Sequence, residues 1–542
     1  MARRYPFVFI FLLTALFICS AYYLRFPFNL RADTEFAELD SLRIYRVQII
    51  EPPVQKPTGW LLSVTLPAYS QQAMLFLSTD TSHAVVPAMG DQLLVHTRLT
   101  RPSPLFEGDF DYGNYLRLQH KVGIGYVQPD HWQYIGHASV RSLRAYAMHV
   151  QQRLVQRYAD AGLTGRPLAF VSAITLGERD ALDSGLRQSF AAAGAAHVLA
   201  VSGLHTGIIY LVLISLLTCF GHLYPRYEQR LLRALRTLVI LAVMWAYAFI
   251  TGLSPSVMRA VLMLTIMQVG WVLRRNSISL NTLAATACIC LWADPLSLFS
   301  ISFQLSFSAV LGILLFVPYM NDIWHIKGNK LKRWSRDLIT VSIGATIGTL
   351  PVTLFYFGQI AHYTLLTNIV VLPAAYILVF MGIATLLFAH TVIGTWLAFA
   401  LQHVSGWVCD YVSWIEHLPF ATLSLPITPL MLVCLVVAIA CCYTSIQRKR
   451  LAWLAPTVAS VALFCTLHVY HSHQSLSEHT LAIRGKTLYY RHAGTTEQHS
   501  LPGRWTFFRF KDTDYVYAPY LTTRQKRALD NYCQEQNILL WQ

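Results

Sequence analysis

Long apolar runs separated by short basic loops fill most of this chain, and one polar, alternating stretch interrupts them near the start. The first run covers 7–24. Later ones lie at 196–220, 237–252, 256–273, 278–293, 297–317, 338–358, 364–388, 392–415, 428–446 and 451–469. A helix crossing the hydrocarbon layer needs about 20 apolar residues, so these runs predict a polytopic α-helical membrane protein of eleven spans. Residues 168–193 begin apolar and turn charged, which makes them too polar to cross alone and points to a re-entrant or broken helix that is buried or lines a wet cavity.

The interruption at 33–135 alternates with a period of two and is punctuated by Pro, Gly and polar turns. Strands are predicted at 42–51, 59–67, 73–78, 92–100 and 121–128, enough for a small barrel or sandwich. Residues 138–160 space Val140, Leu143, Ala147, Val150, Leu154 and Tyr158 three and four apart, as an amphipathic helix does at a membrane surface or against a bundle. The tail, 470–542, alternates weakly and predicts a small β-rich unit ending in a helix over 522–536. The expected organisation is an anchor (1–30), a β-domain (31–136), the amphipathic helix (137–166), a transmembrane domain (167–469) and the tail (470–542).

Composition agrees with a membrane protein: 55% hydrophobic, 13% charged, mean hydropathy +0.43, where soluble chains carry about a quarter charged residues. The net charge of +15 invites a nucleic-acid reading, but its placement limits that. The β-domain, 33–135, holds seven Lys/Arg against eleven Asp/Glu. The basic excess sits between apolar runs, at Arg226, Arg230, Arg233 and Arg236, at Arg274 and Arg275, at Lys327, Lys330, Lys332, Arg333 and Arg336, and at Arg448, Lys449 and Arg450. Threading eleven spans from a cytoplasmic N-terminus puts every cluster inside and the β-domain and C-terminus outside. Arg3 and Arg4 precede a first run with no small-residue cleavage site, which reads as an uncleaved anchor. Nine of the ten cysteines lie in apolar runs, and no disulfide or zinc spacing occurs. No cofactor is expected.

Candidate chemistry concentrates in 176–210. Glu178, Arg179, Asp180, Asp183 and Arg187 are followed by small residues and by an apolar helix carrying His197, Ser202 and His205. Charge beside a membrane span is costly unless it faces protein or water. The acids and arginines suit a hydrated vestibule, with Asp183 facing Arg187 four residues on, or a helix start capped by Asp180. Ser202 and His205 share a helix face. They suit helix–helix bonding or pore lining better than an intramembrane serine hydrolase, because neighbours at this spacing rarely align and no oxyanion hole is evident. Arg259, with Ser256 on its face, calls for a phosphate or for a carboxylate among Asp180, Asp183 and Glu178. Gln304, Ser306 and Ser308, with Ser300 and Ser302, and separately Asn368, offer uncharged polar groups to a pore or to interhelical bonds. His390, His403, Asp410 and His417 fall near span ends, an interfacial placement. In the β-domain Tyr45, Trp60, Tyr69 and Phe76 are core aromatics or base-stacking faces. No Walker motif, dinucleotide fingerprint or HExxH is present.

AAAGAAHVLAVSGLHTGIIY (191–210) closely resembles the signature of the ComEC competence proteins, inner-membrane channels of natural DNA uptake. GLSPSVMRA (252–260), DPLSLFSISFQLSFSAVLGILL (294–315), TLPVTLFYFG (349–358) and LLTNIVVLPA (365–374) are similar to later family segments, and FDYGNYL (110–116) to the end of its external domain. The resemblance implies an OB-like external domain, passage of single-stranded DNA into the cytoplasm, a cytoplasmic helicase-like ATPase that pulls the strand, a periplasmic DNA-binding partner, membrane lipid around the bundle and a homo-oligomer as an open arrangement. Many longer members carry a metallo-β-lactamase-like nuclease domain. HVYHSHQSLSEH (468–479) lacks the His-x-His-x-Asp-His order that domain needs, and the tail is too short for it, so no enzyme is expected. A small-solute or lipid-linked transporter would show the same helices, and the acidic β-domain favours that alternative.

Overall fold

The computed structural model describes residues 6–23, 41–56, 58–78, 86–104, 110–138, 142–221, 229–273, 279–324, 329–389 and 391–477, and beyond these only strand segments between 479 and 541. Arg226, Arg274, Arg275, Lys327, His390 and the helix expected over 522–536 lie outside the described residues. The chain divides into two compact units.

In the larger unit, helix α1 (Pro6–Tyr23) is followed by strands β1 (Arg43–Ile49), β2 (Val54–Lys56), β3 (Gly59–Leu66), β4 (Gln71–Ser78), β5 (Asp91–Thr97) and β6 (Leu99–Thr100), helix α2 (Tyr112–Leu118), then β7 (Lys121–Val127) and β8 (Trp132–His137). All five predicted strands form. The two extra ones carried weak signals: β2 is three residues hemmed by Pro52, Pro53 and Pro57, and β8 lacks clean alternation. The sheet runs β6-β7-β4-β3-β1-β5-β8, with β4 and β7 parallel and the other pairs antiparallel. Strands β5 and β6 are consecutive in the chain yet sit at β1 and at β7 respectively. The bend at Arg98 therefore closes the sheet into a barrel. Alternate residues of β1, β3 and β5, among them Val47, Leu62, Val64, Leu93 and Val95, fill its interior.

Helices α3 (Leu143–Asp160), α4 (Gly165–Leu176), α5 (Ser184–Ala192), α6 (Gly203–Gly221), α7 (Gln229–Ile250), α8 (Pro255–Val272), α9 (Ser279–Ala293), α10 (Ile301–Ile323), α11 (Lys330–Phe357), α12 (Thr364–Leu387), α13 (Val392–Glu416) and α14 (Pro429–Arg448) follow. Each predicted apolar run carries a helix, and seven helices are long and apolar enough to cross a membrane. This is a polytopic helical membrane protein with a β-rich region near its N-terminus. Helix α3 packs on the bundle, burying Ala147, Gln151 and Tyr158. Its Tyr158 hydroxyl donates to Thr175 Oγ1 at 3.2 Å. Helix α1 packs Phe11 and Ile18 against Ala287 and Leu291 of α9. The main core joins α4, α5, α12 and α13 around Phe170, Phe190, Leu378, Leu401, Val408 and Ile415. Helices α10 and α11 meet through glycine: a Cβ on Gly312 or Gly348 would run into the facing backbone, the close approach that small residues allow within bilayers. Strands β9 (Gln359–Ala361) and β10 (Thr422–Ser424) pair and stitch the ends of α11 and α13 together.

The smaller unit contains α15 (Leu454–Ser477), the antiparallel sheet β11 (His479–Arg484), β12 (Thr487–His492) and β13 (Thr495–Ser500), and the sheet β14 (Thr506–Phe510), β15 (Thr513–Tyr517) and β16 (Leu539–Trp541). The alternation in the tail thus does form strands.

Candidate functional site

Helix α4 ends where Gly177 enters the left-handed region, φ +80°, and the chain turns out of the bundle there. Gln151 fixes the turn by donating to the Leu176 carbonyl at 2.6 Å. Glu178 Oε1 accepts the N–H groups of Asp180 and Ala181 at 2.7 and 3.3 Å, while its Oε2 is buried with no partner among the described residues. Asp183, rather than Asp180, caps the next helix by accepting the Leu186 N–H. The Asp183–Arg187 pair expected from spacing does not form. Asp183 Oδ2 lies 3.5 Å from Arg166 Nε, and Arg187 donates to the Arg179 carbonyl at 2.5 Å.

Arg179, Asp180, Asp183 and Arg187 have accessible surface and Glu178 is half-buried. Even so, enough protein surrounds Glu178 and Asp180 that desolvation raises both carboxyls above their ordinary values, and it lowers the Arg179 guanidinium. Glu178, Arg179 and Asp180 thus combine partial access to water with crowding by protein. The barrel lies nearby, because Lys56 and Glu51 are close enough to act on Asp180. Glu51 pairs with Arg144 of α3 at 2.9 Å, and His120 at the start of β7 pairs with Asp294 before α10 at 3.3 Å.

Past α5, Gly194 adopts φ +77° and abuts Thr364 at the start of α12. His197 is exposed and bonds the Gly194 backbone, in the turns before α6 rather than on that helix as its apolar run led one to expect. Ser202 and His205 do meet, against the expectation from spacing: the serine Oγ lies 3.2 Å from His205 Nδ1, and the serine N–H donates to the same nitrogen at 3.2 Å. Their role is local. Ser202 Oγ accepts the Leu204 N–H and so closes the start of α6. Nδ1 accepts, so the neutral ring carries its proton on Nε2, and that nitrogen is buried without a partner. A hydrolase base needs a group orienting that second nitrogen, and none of the described residues provides it.

Arg259, 8% exposed, donates through Nη2 to the Ser302 carbonyl at 3.0 Å and to Ser302 Oγ at 2.8 Å. The carboxylate partner considered among Asp180, Asp183 and Glu178 is not there. The titratable group acting on Arg259 is the Cys290 thiol of α9. Ser256 and Ser306 are half-buried. Gln304 turns back to the Leu298 carbonyl at 3.0 Å, and Ser300 caps α10, so much of the sixth-span stripe spends its hydrogen bonds locally. Asn368, 4% exposed, keeps Oδ1 unpartnered. In the barrel, Tyr45 is 3% exposed and packs edge-on to Tyr69 in the core, so it has no face for a base. Trp60 is half-buried against the same core. Residues not anticipated from sequence are Ser254, whose Oγ is buried and unpartnered, and Glu416, which accepts from Ser189 at 2.5 Å. Glu416 carried a readable signal as a lone acid at the end of an apolar run. Ser254 carried none.

A family model described as Competence protein matches residues 174–450, about half of the chain. ComE operon protein 3 of Bacillus subtilis is 26% identical over 270 residues, covering 49% of this chain and 31% of that protein. Recombination protein 2 of Haemophilus influenzae is 27% identical over 272 residues, 49% of this chain and 33% of the relative. Competence protein ComA of Neisseria gonorrhoeae is 26% identical over 255 residues, 46% and 34%. The matched region thus spans about a third of each of these relatives. No solved structure matches. The matched range contains the charged turn at 178–187, the Gly194–Thr364 approach, the Ser202–His205 pair and Arg259, and on that evidence the chain belongs to the competence protein family, of the ComEC type.

Proposed function

We propose that this chain forms an inner-membrane passage through which single-stranded DNA enters the cytoplasm during transformation. In this reading eleven spans place the N-terminus in the cytoplasm and the barrel and tail outside. The barrel is read as OB-like, a reading supported by its order β1-β3-β4-β7, closed through β6 and β5, with β4 and β7 parallel. The observation that carries the reading is the cluster of charged, solvent-accessible side chains at 179–187, inside the family region and near Lys56 and Glu51 of the barrel, which we take as the outer end of the passage. Glu178, Arg179, Asp180, Asp183, Arg187 and His197 border its mouth. Ser202, His205, Ser256, Arg259, Gln304, Ser306 and Asn368 lie along the route, where polar groups replace part of the hydration of the phosphate chain. The chemistry is non-covalent, and movement is driven by a separate helicase-like ATPase, with a periplasmic DNA-binding protein delivering the strand.

The test is import of labelled DNA into a nuclease-protected compartment in a strain lacking this chain, with and without complementation. Loss and recovery of the protected label support the reading. Unchanged import in the deletion strain overturns it and leaves the small-solute or lipid-linked transporter, which the acidic barrel favours.

A further inference from the structure

Helices α6, α8, α10 and α12 are every second helix of the bundle. Where consecutive helices run antiparallel, their starts gather on one side. That side carries the barrel, since the His120–Asp294 pair joins the barrel to the connection before α10. Helix starts concentrate partial positive charge and unsatisfied N–H groups. At α6 and α10 serine side chains occupy some of those groups: Ser202 accepts from Leu204 and Ser300 from Phe303. At α8 the cap residue Ser254 makes no such bond. Its Oγ is buried and unpartnered. The first helical position is Pro255, and the ladder begins with Met258 N–H on the Ser254 carbonyl at 3.0 Å, so the helix supplies no carbonyl to the N–H groups of Ser256 and Val257.

One turn further on, Arg259 is more than nine-tenths buried and its Nε has no partner. It reaches across to Ser302 in the first turn of α10 and has the Cys290 thiol of α9 as its titratable neighbour. A guanidinium enclosed by three helices, beside two helix starts and with no carboxylate among the described residues, is an uncompensated positive site. Such a site is costly unless an anion occupies it. Ser302 Oγ accepts from Arg259, which leaves its own proton free to donate.

We propose that the start of α8 is a binding site for one phosphate group, formed by Arg259 Nε–H, the Ser254 and Ser302 hydroxyls and the N–H groups of Ser256 and Val257, and that its occupant is a phosphodiester of the strand in transit. This rests on the DNA-passage reading. A lipid headgroup is the weaker candidate, because Arg259 is enclosed by α8, α9 and α10 rather than facing outward between a helix and lipid. The tetrahedral oxyanion matches both the guanidinium fork and an open helix start.

The experiment uses the full chain in phosphatidylcholine nanodiscs, with amide hydrogen exchange read on peptides covering Ser256 and Val257. Inorganic phosphate, a short oligothymidylate and its uncharged methylphosphonate analogue are the probes. Phosphate and the phosphodiester oligomer slow exchange at these amides; the methylphosphonate does not. Arg259→Gln abolishes the slowing and weakens oligomer binding roughly ten- to a hundredfold, as expected for loss of charge-assisted bonds, while Arg259→Lys retains part of it. The dependence of binding on salt falls by about 0.7 of a logarithmic unit per decade in Arg259→Gln, one phosphate's share for a single strand. Thermal melts of both variants show whether they are folded. Amides that respond to none of the three probes overturn the proposal, as does a response only after phosphatidylglycerol is added to the discs. If the deletion strain imports DNA normally, the DNA-passage reading fails while phosphate protection still reports on the site. If import needs the chain and the amides stay silent, the site alone fails.

Discussion

Gly194 lies so close against Thr364 that a Cβ on the glycine would overlap the threonine side chain, and its φ of +77° is one that other residues resist. The two constraints are independent and act at the junction between the charged segment and α12. Gly194→Ala pays about 1–2 kcal/mol for the left-handed backbone and must also displace Thr364. Gly207, in α6, has open space where its Cβ would stand. Thermal unfolding of detergent-solubilised protein is expected to show Gly194→Ala clearly destabilised, and Gly207→Ala unchanged or slightly stabilised by the better helix former.

The α10–α11 contact predicts a second graded response. Gly312 and Gly348 bring two backbones together where no side chain fits. Gly348→Leu is expected to prevent that approach and to reduce the yield of monodisperse protein in size-exclusion chromatography, with Gly348→Ala falling between it and the parent. A parent-like Gly348→Leu would mean that this contact does not hold the two helices together.

Tyr45 separates a core role from a stacking role. Removing its ring leaves a cavity in the barrel and costs about 3–5 kcal/mol. Tyr45→Phe keeps the ring and gives up the hydroxyl bond to the Ser41 carbonyl at 3.4 Å, about 1 kcal/mol or less. Unfolding curves are expected to rank the variants in that order, and oligonucleotide binding by folded Tyr45→Phe is expected to match the parent.

Glu178 predicts a dependence on pH. Burial raises its carboxyl above the ordinary value of 4.5, so the folded chain holds this proton more tightly than the unfolded chain. The stability from that difference is fully present below the ordinary value and is lost as pH rises through the folded value. Glu178→Gln keeps an oxygen for the Asp180 and Ala181 N–H groups and never ionises. Melting temperatures taken from roughly pH 4 to pH 8 are expected to favour the parent less, relative to Glu178→Gln, as pH rises. A parent that gains on the variant with rising pH would contradict the burial of the Glu178 carboxyl. Asp180 shifts in the same direction, with its burial as the main cause.

Local patterns in the sequence were readable because their causes are local. Alternation in RIYRVQI and GWLLSVTL put Val47, Leu62 and Val64 on one face, and the barrel followed. Each apolar run predicted a helix, while α4 and α5, core helices within the stretch read as too polar to cross, were not separately resolved. Polar partners were not readable, because they depend on which helices touch: Arg259 and Ser302 are far apart in the chain and meet only when α8 and α10 are side by side. Spacing misled twice within one turn. It paired Asp183 with Arg187, although Asp183 is held at the helix cap, and it separated Ser202 from His205, although Ser202 sits just before α6 and turns its hydroxyl onto the first turn that holds His205. Tyr45 and Trp60 have the same chemistry in sequence, and only the barrel's closure tells the buried ring from the half-buried one.

The central claim is that the segment from 176 to 210 borders a water-filled route that admits a single strand. It is tested most directly by placing one cysteine at His197 in a chain whose ten native cysteines are replaced, and treating intact cells with a membrane-impermeant thiol reagent. The expected result is modification of His197→Cys from outside, slowed when single-stranded DNA is supplied. A cysteine there that stays unmodified in a folded, membrane-inserted protein, or whose rate of modification ignores DNA, would contradict the account.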